Sequence, residues 1–509
     1  MTTDFELANN QLLIWAGQQL WPEQAIYNVA FAFHIAGTLD PQRFERAFAA
    51  VLAGTDALRM VVTCERGEPK QRVREDSCWA LEYVDLSDQP EADRACARWL
   101  ADRVRRPLDP AVRSFDTVLL KLGAERFVWY LCQHHLFTDA VSASLLFARV
   151  ARHYADVDTE VTYPQFGAHL ERERDRRATP QYARAQAYWR AKLAERSAPL
   201  TFFGGPARTL ATAPWQERLS VDLGLARTGA IREAARVLAP HALSENQAVF
   251  TLLAAVVCAF LHCASGQSRV ALGIAAHGRV GRASANTVGL FVEQDPHHIA
   301  VERDDTFISL ALKVQRESLE VMRHVPFAPS HPGGQAIEAG LNFITTRFGD
   351  FAGMPVRAKW LHPGAGDASF VAHFHDYSGC GRLQMVLDCN STLFPAEARN
   401  RAADELLAIL DACLERPARR MAELAGLRPP SMRDQGAAAI GRASQAADLH
   451  GFVNSLLRRG GSLRVVSGKL ACRPPADGLS ENEIAFLREH RDGLLDLLVT
   501  LRSTSANPP

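Results

Sequence analysis

Apolar positions in the first third of the chain recur with two periods. In "NNQLLIWAGQQLWPE", Leu12, Trp15 and Leu20 fall on related faces of a 3.6-residue repeat and predict an amphipathic helix. "YNVAFAFHIAG" alternates as a strand does. In "DPQRFERAFAAVLAGTDALRMVV", Asp40 suits an N-cap and Pro41 a first helical turn, so a helix is expected there, ending in a strand around Leu58–Val62. "FDTVLLKLGAERFVWYLCQHH" reads as a β-hairpin whose second strand ends on two adjacent histidines, His134 and His135. "DAVSASLLFARVARHYA" then predicts a helix with Asp139 near its N-terminus.

A charged helical connector, "ERERDRRATPQYARAQAYWRAKLAER", leads into a second half where the alternation resumes without sequence repetition. "GLARTGAIREAARVL", "SENQAVFTLLAAVVCAFLHC", "TFISLALKVQRESLEVMRH" and "FPAEARNRAADELLAILDACLER" read as helices, the second with Ser244 and Gln247 as a capping box. "SRVALGIAAHG" and "RLQMVLDCN" read as strands. The pattern is that of two mixed α/β lobes, 1–178 and 179–430. A Pro-, Gly-, Ala- and Ser-rich stretch, 431–446, lacks apolar periodicity and reads as a flexible linker. Beyond it, 447–501 predicts a miniature α+β domain. A helix there ends at a Gly pair, "SLRVVSGKLACR" forms a hairpin about Ser467-Gly468, and one or two helices start from a Ser480/Glu483 capping box. Residues 502–509 should fray.

Composition narrows the picture. A chain of 509 residues suggests two or three domains, and 47% apolar with 22% charged residues is ordinary globular usage. Lys plus Arg and Asp plus Glu are 57 each, so no global field draws the chain to nucleic acid or an anionic membrane. Ten cysteines, Cys64, Cys78, Cys96, Cys132, Cys258, Cys263, Cys380, Cys389, Cys413 and Cys472, form no CxxC pair and no Cys/His group at zinc spacing. They read as reduced thiols in a cytoplasm. The start "MTTDFELANN" is acidic and polar, which argues against a secretory signal. The longest apolar run reaches His262 after about 14 residues, too few to span a bilayer comfortably. No metal site and no nucleotide-binding glycine loop is visible.

The stretch His134-His135-Leu136-Phe137-Thr138-Asp139-Ala140 resembles the HHxxxDG motif of non-ribosomal peptide synthetase condensation domains, also found in the wider chloramphenicol-acetyltransferase-like superfamily. Gln11, Ile14, Trp15, Tyr27 and Asn28 resemble that family's opening pattern. Leu58 and Arg59 stand in its "HExLRTxF" segment without the His-Glu pair, and Tyr188-Trp189 matches its connector. Gly273, Gly278 and Arg279 resemble "GxPxxGR", "VGLFVEQ" resembles "IGxFVNT" with Glu293 in place of Asn, and "RHVPF" matches "xxVPF". The order and spacing hold over roughly residues 5–425.

The resemblance implies two chloramphenicol-acetyltransferase-like lobes in a V-shaped pseudo-dimer. It also implies acyl transfer from a phosphopantetheine thioester borne by an acyl or peptidyl carrier protein, with no bound cofactor. His135 would face the tunnel between the lobes as base or orienting group, since an imidazole titrates near neutrality and can take a nucleophile's proton. His134 would point away and hold the loop, and Asp139 would pair with Arg279. Gly289 and Glu293 would border the tunnel or the acceptor, Glu293 being as readable as a solvated rim charge. Ala140 replaces a glycine and serves if it lies in the first turn of the following helix. His277, His297, His298, His373 and His375 lie near motif segments and read as ordinary packed or surface groups.

The tail resembles the small β-hairpin docking domains of synthetase subunits. Arg464, Lys469 and Arg473 would select a carrier or synthase partner with a short acidic C-terminal tail. Neither an adenylation nor a carrier domain is recognisable, so a free-standing enzyme is expected that joins a polyketide or peptide acyl chain to the hydroxyl or amine of a small-molecule acceptor and releases it as an ester or amide. A non-catalytic platform that recruits a carrier is the alternative from another class. Epimerisation is a third reading, weakened because Ala275 stands where an acid is needed.

Overall fold

The computed structural model describes residues 4–65, 67–75, 79–156, 160–195, 198–209, 211–279, 281–324, 337–426, 462–466 and 469–474. Its first lobe runs β1 (Asp4–Glu6), α1 (Asn9–Leu20), β2 (Asn28–Ala36), α2 (Pro41–Gly54), β3 (Met60–Glu65), β4 (Glu68–Val73), β5 (Glu82–Asp85), α3 (Ala92–Val104), β6 (Phe115–Gly123), β7 (Arg126–His134) and α4 (Ala140–Ala155). The start of α2 is fixed by Asp40, whose carboxylate accepts the amides of Gln42 and Arg43, with Pro41 in the first turn. Strand β7 is buried on both faces from Phe127 to His134. Val128, Tyr130 and Cys132 pack towards α3, while Trp129 and Leu131 join Phe31, Phe33, Phe44 and Phe48 in the larger core.

Two expectations shift here. The strand foreseen around Leu58–Val62 begins at Met60, because Asp56–Leu58 form a 3₁₀ turn. The turn is fixed by the Asp56 carboxylate, which accepts the amides of Ala57, Phe166 and Gly167. Helix α1 forms as foreseen but with a different buried stripe: Gln11 and Gln18 are buried, whereas Leu20 is 69% exposed.

The connector folds as α5 (Phe166–Arg176) and α6 (Pro180–Ala194), broken where Thr179 caps α6. The second lobe continues β8 (Gln216–Asp222), α7 (Gly224–Ala235), α8 (Glu245–Ser265), β9 (Arg269–His277), α9 (Gly281–Ala285), β10 (Val292–Ala300), α10 (Phe307–Met322), β11 (Ala339–Ile344), β12 (Val356–Leu361), β13 (Phe370–His375), β14 (Gln384–Asn390) and α11 (Ala396–Glu415). Helix α8 is longer than its apolar run suggested. Its 21 residues include an 18-residue stretch of mean hydropathy 2.2, the length and composition of a membrane span, yet 78% of that stretch is buried in protein, as the core helix of this lobe. Only half of the foreseen capping box forms. Ser244 accepts the Gln247 amide, but the Gln247 side chain takes the amide of Leu243.

The sheets reveal a repetition invisible in the sequence. The first has order β12-β2-β7-β6-β5 and the second β10-β9-β11-β13-β14-β8. In each lobe four strands follow one scheme, β2-β7-β6-β5 and β8-β14-β13-β11, with two antiparallel pairings and then a parallel one. Strand β12 leaves the second lobe and pairs antiparallel with β2, Trp360 opposite Phe31, so the first sheet is completed by a strand from the second half of the chain.

Met1–Arg428 form one compact unit and Pro429–Pro509 another. Within the second, β15 (Ser462–Val466) pairs antiparallel with β16 (Lys469–Arg473). Their register sets Ser462 opposite Arg473, Arg464 opposite Ala471 and Val466 opposite Lys469. Positions 464, 469 and 473 therefore share one face, and 463, 465, 470 and 472 the other. The linker 431–446, the foreseen helices on either side of the hairpin, the Ser467-Gly468 turn and the tail 502–509 lie outside the described residues, as does most of "RHVPF".

Candidate active site

The end of β7 carries two histidines in different surroundings. His134 continues the strand opposite Asn28 and is fully buried. Its Nδ1 accepts the Leu136 amide at 3.2 Å, which leaves the proton on Nε2, 3.3 Å from the Gln18 side-chain oxygen. Burial, and then the charge of His135, push its pKa down to about 3, so the ring is a neutral structural group. The chain next turns through 3₁₀ residues His135–Phe137, and the His135 ring stays half-buried. Its amide donates to the Tyr27 carbonyl at 2.8 Å, and its Nδ1 lies 2.7 Å from the Thr138 carbonyl oxygen. A carbonyl can only accept, so Nδ1 carries a proton, and in the neutral ring the lone pair is on Nε2.

Thr138 is itself held, donating from its hydroxyl to the Gln133 side chain at 3.0 Å. Helix α1 supplies the other clamp. Gln11 donates to the Leu136 carbonyl at 2.8 Å and forms a reciprocal amide pair with Gln71.

Asp139 caps α4, its Oδ1 accepting the Ser142 amide at 2.7 Å. The same carboxylate receives Arg279 Nη2 at 2.7 and 3.0 Å and the Phe291 amide at 3.1 Å. Arg279 also donates to the carbonyls of Ser284 and Thr287 and stacks 4.1 Å over the Phe291 ring. Both side chains are about 5% exposed, so this is a desolvated pair joining the two lobes. Ala140 is the first residue of α4 and is absent from the positive-φ positions among the described residues, so its turn makes no demand for glycine.

Gly289 has a packing role. A Cβ there would meet the Phe166 ring at 2.2 Å, and its carbonyl and amide are both engaged by the Ser142 hydroxyl. It does not line the cleft that contains Glu293. That cleft, with Asn10, Glu173, Arg176, Tyr182 and Phe291 among its walls, has about 20 Å³ of interior room, the space of a single water molecule. Glu293, foreseen at the tunnel or on a solvated rim, keeps some accessible surface, but its carboxyl lies deep among protein atoms. Desolvation, and then the neighbouring Asp295 charge, hold its pKa well above the usual range.

Asp295, two residues on and on the same strand face, is likewise raised by burial, to about 7, and its Oδ2 has no hydrogen-bond partner. His297 completes this row, buried and depressed to about 4. His298 is half-buried on the opposite strand face. His373 lies 3.1 Å from Asp388, which Arg218 holds with two 2.7 Å bonds. His375 packs against Tyr377, and His277 ends β9.

Sequence reasoning missed Gln18, the Thr138 carbonyl, Ser142 and Asp295. No local pattern marked them, since a glutamine on α1 reads as part of the helix's polar face. Among the described residues no group of three or more His, Cys, Asp or Glu could hold a metal.

The sequence and the fold both have relatives among known proteins. The family model for the condensation domain matches residues 1–328. The chain is 30% identical over 428 residues to an isonitrile lipopeptide synthase of Streptomyces coeruleorubidus, covering 81% of this chain and 28% of that protein. It is 26% identical over 326 residues to a dimodular nonribosomal peptide synthase of Bacillus subtilis, covering 63% of this chain and 13% of that protein. The chain thus spans a minor part of the length of these relatives.

Among solved structures, a starter condensation domain of rhizomide synthetase in complex with C8-CoA superposes with a TM-score of 0.73 at 21% identity, covering 84% of this chain and 98% of that one. The first condensation domain of the calcium-dependent antibiotic synthetase, in complex with a substrate analogue, gives 0.71 at 22% identity, covering 83% and 98%. With two matching lobes and a family match over more than half its length, the chain belongs to the condensation-domain family of nonribosomal peptide synthetases, whose members are acyltransferases.

Proposed function

We propose that this chain transfers an acyl group from the phosphopantetheine thioester of a carrier protein to the hydroxyl or amine of a small-molecule acceptor, releasing an ester or amide. The observation that carries this reading is the His135 tautomer. With Nδ1–H committed to the Thr138 carbonyl, Nε2 is left as a base on a half-buried ring. In the step, His135 Nε2 takes the proton of the acceptor heteroatom as that atom bonds to the thioester carbonyl carbon. The C–S bond then breaks, and the imidazolium returns the proton to the departing thiolate. The neutral, buried His134 keeps a second positive charge away from this cycle.

The lipopeptide synthase relative, and the starter domain crystallised with C8-CoA, favour an octanoyl chain as the first donor to test. The β15–β16 face carrying Arg464, Lys469 and Arg473 supports a docking role towards an acidic partner tail.

The test is intact-protein mass spectrometry of an octanoyl-loaded carrier mixed with the chain and a panel of amines and alcohols. His135→Ala should slow deacylation by about 10²–10⁴ while carrier binding persists. Deacylation by the variant at the parental rate would refute the role of His135. An octanoyl-carrier left intact by the parental chain in every mixture would favour the recruitment platform.

A further inference from the structure

His135 is held by its backbone as well as by its ring. Its amide donates to the Tyr27 carbonyl at 2.8 Å, and Tyr27 directly precedes Asn28, the first residue of β2, which lies opposite His134. The Tyr27 side chain is buried, its ring centre 6.2 Å from that of His134. Helix α1 leaves room for it at Gly17, where a Cβ would lie 2.0 Å from the Tyr27 hydroxyl. That hydroxyl donates to Asp367 Oδ2 at 2.9 Å, across 340 positions of the chain. Burial, and then the Asp367 charge, push the phenol's pKa well above its usual range, so it remains a donor.

Asp367 lies in the segment 362–369, which carries the chain from β12 in the first sheet to β13 in the second. This segment is fastened to the start of β8. Gln216 donates from its amide to the Gly364 carbonyl at 3.0 Å and from its side chain to the Ala368 carbonyl at 2.8 Å. The Gly366 amide donates to the Pro214 carbonyl at 2.8 Å, and a Cβ at Gly366 would meet the Gln216 side-chain oxygen at 2.1 Å, so the two stretches touch closely. Arg208 donates to the Asp367 carbonyl. Although Asp367 is exposed, its backbone is thereby fixed relative to the second sheet.

We propose that Tyr27 and Asp367 are positioning residues for acyl transfer: their bond ties the backbone that holds His135 to the second sheet, and so sets where Nε2 stands relative to the reacting atoms. The proposal rests on the acyl-transfer reading and adds what aims the base. A base works only within hydrogen-bond reach of the proton it takes, and a shift of about 1 Å costs about 10²-fold in rate. A phenol on a carboxylate is a charge-assisted bond, of the short and strong kind that can hold such a position. Tyr27→Phe removes that bond alone and leaves the ring packed between Gly17 and His134.

The test uses the full chain, free octanoyl-pantetheine as donor, and the amine or alcohol that the parental chain turns over fastest. Tyr27→Phe and Asp367→Ala should each lower kcat about 10-fold, and the double variant should be no slower than either, because one bond is lost in all three. KM for both substrates should stay within about twofold, since the loss falls on the transition state. Asp367→Asn, whose amide oxygen still accepts the phenol, should keep most of the parental kcat. Urea midpoints of the variants should stay close to the parental value.

A Tyr27→Phe chain with parental kcat overturns the positioning role. So does a double variant whose loss is the product of the single losses, which would make the two residues independent. A loss carried by KM would give Tyr27 to substrate binding instead, and a kcat that falls only in step with the urea midpoint would leave the bond a purely structural one. A parental chain inert on octanoyl-pantetheine with every acceptor would sink the acyl-transfer reading itself, and the positioning role with it.

Discussion

At the scale of single residues, chemistry and architecture are divided between neighbours. His135 offers a free Nε2, whereas Asp139, four residues on, is spent on an N-cap and on Arg279. These roles predict different losses. His135→Ala removes a base from a ring that holds one backbone carbonyl, so activity should fall with little change in stability. Arg279→Ala leaves the Asp139 carboxylate buried beside Phe291 with only two amides, and should cost about 3–5 kcal/mol in the unfolding of the first unit. Urea denaturation followed by tryptophan fluorescence measures both, and an Arg279→Ala protein as stable as its parent would show that the pair is not desolvated.

Asp139, Arg279 and the two histidines could be picked out because they stand in a motif. Gln18 could not. A glutamine on α1 reads as part of the polar face, and only the fold reveals that a buried imidazole N–H needs it.

At the scale of elements, legibility follows locality. α2 and the β6–β7 hairpin were readable because caps, turns and alternation lie within one short window. β10 was not: "VEQDPHHIA" mixes charges, a proline and histidines in a strand that lies at the edge of its sheet. Its edge is closed by side chains. Asn10 binds the Val292 carbonyl, Glu317 accepts the His298 amide, and Pro296 has no amide to offer.

The same strand buries Glu293 and Asp295 on one face. Both have pKa values raised by folding, so the folded state holds their protons more tightly than the unfolded chain does. Stability from these groups is therefore fully present below the ordinary carboxylate pKa, about 4, and is lost as pH rises through about 7 for Asp295. The denaturation midpoint should decline over that window. Glu293→Gln/Asp295→Asn should flatten the decline, and a double variant with the parental pH profile would mean that the pair does not titrate there.

At the scale of the whole molecule, the two lobes of the first unit form a repeat that sequence identity had hidden. The shared scheme β2-β7-β6-β5 and β8-β14-β13-β11 survives because sheet pairing constrains only the pattern of burial. The crossing of β12 makes the lobes interdependent in folding, since the first sheet is completed by a strand at Val356–Leu361, far downstream of its other strands, which end by His134, a long-range pairing that no local window can reveal.

Residues 1–428 and 429–509 are two separate compact units. Removing residues 429–509 should therefore leave the unfolding midpoint of the first unit, and its turnover of octanoyl-pantetheine, close to the parental values. A tethered module acts by raising a partner's effective concentration. The truncated chain should then need about 10²-fold more of a carrier that ends in an acidic tail, while a carrier without the tail is used equally by both chains. Steady-state kinetics with the two carriers measures this. A truncation that unfolds the first unit would show that the tail belongs to its core, and equal KM values on the tailed carrier would remove the β15–β16 hairpin from recognition.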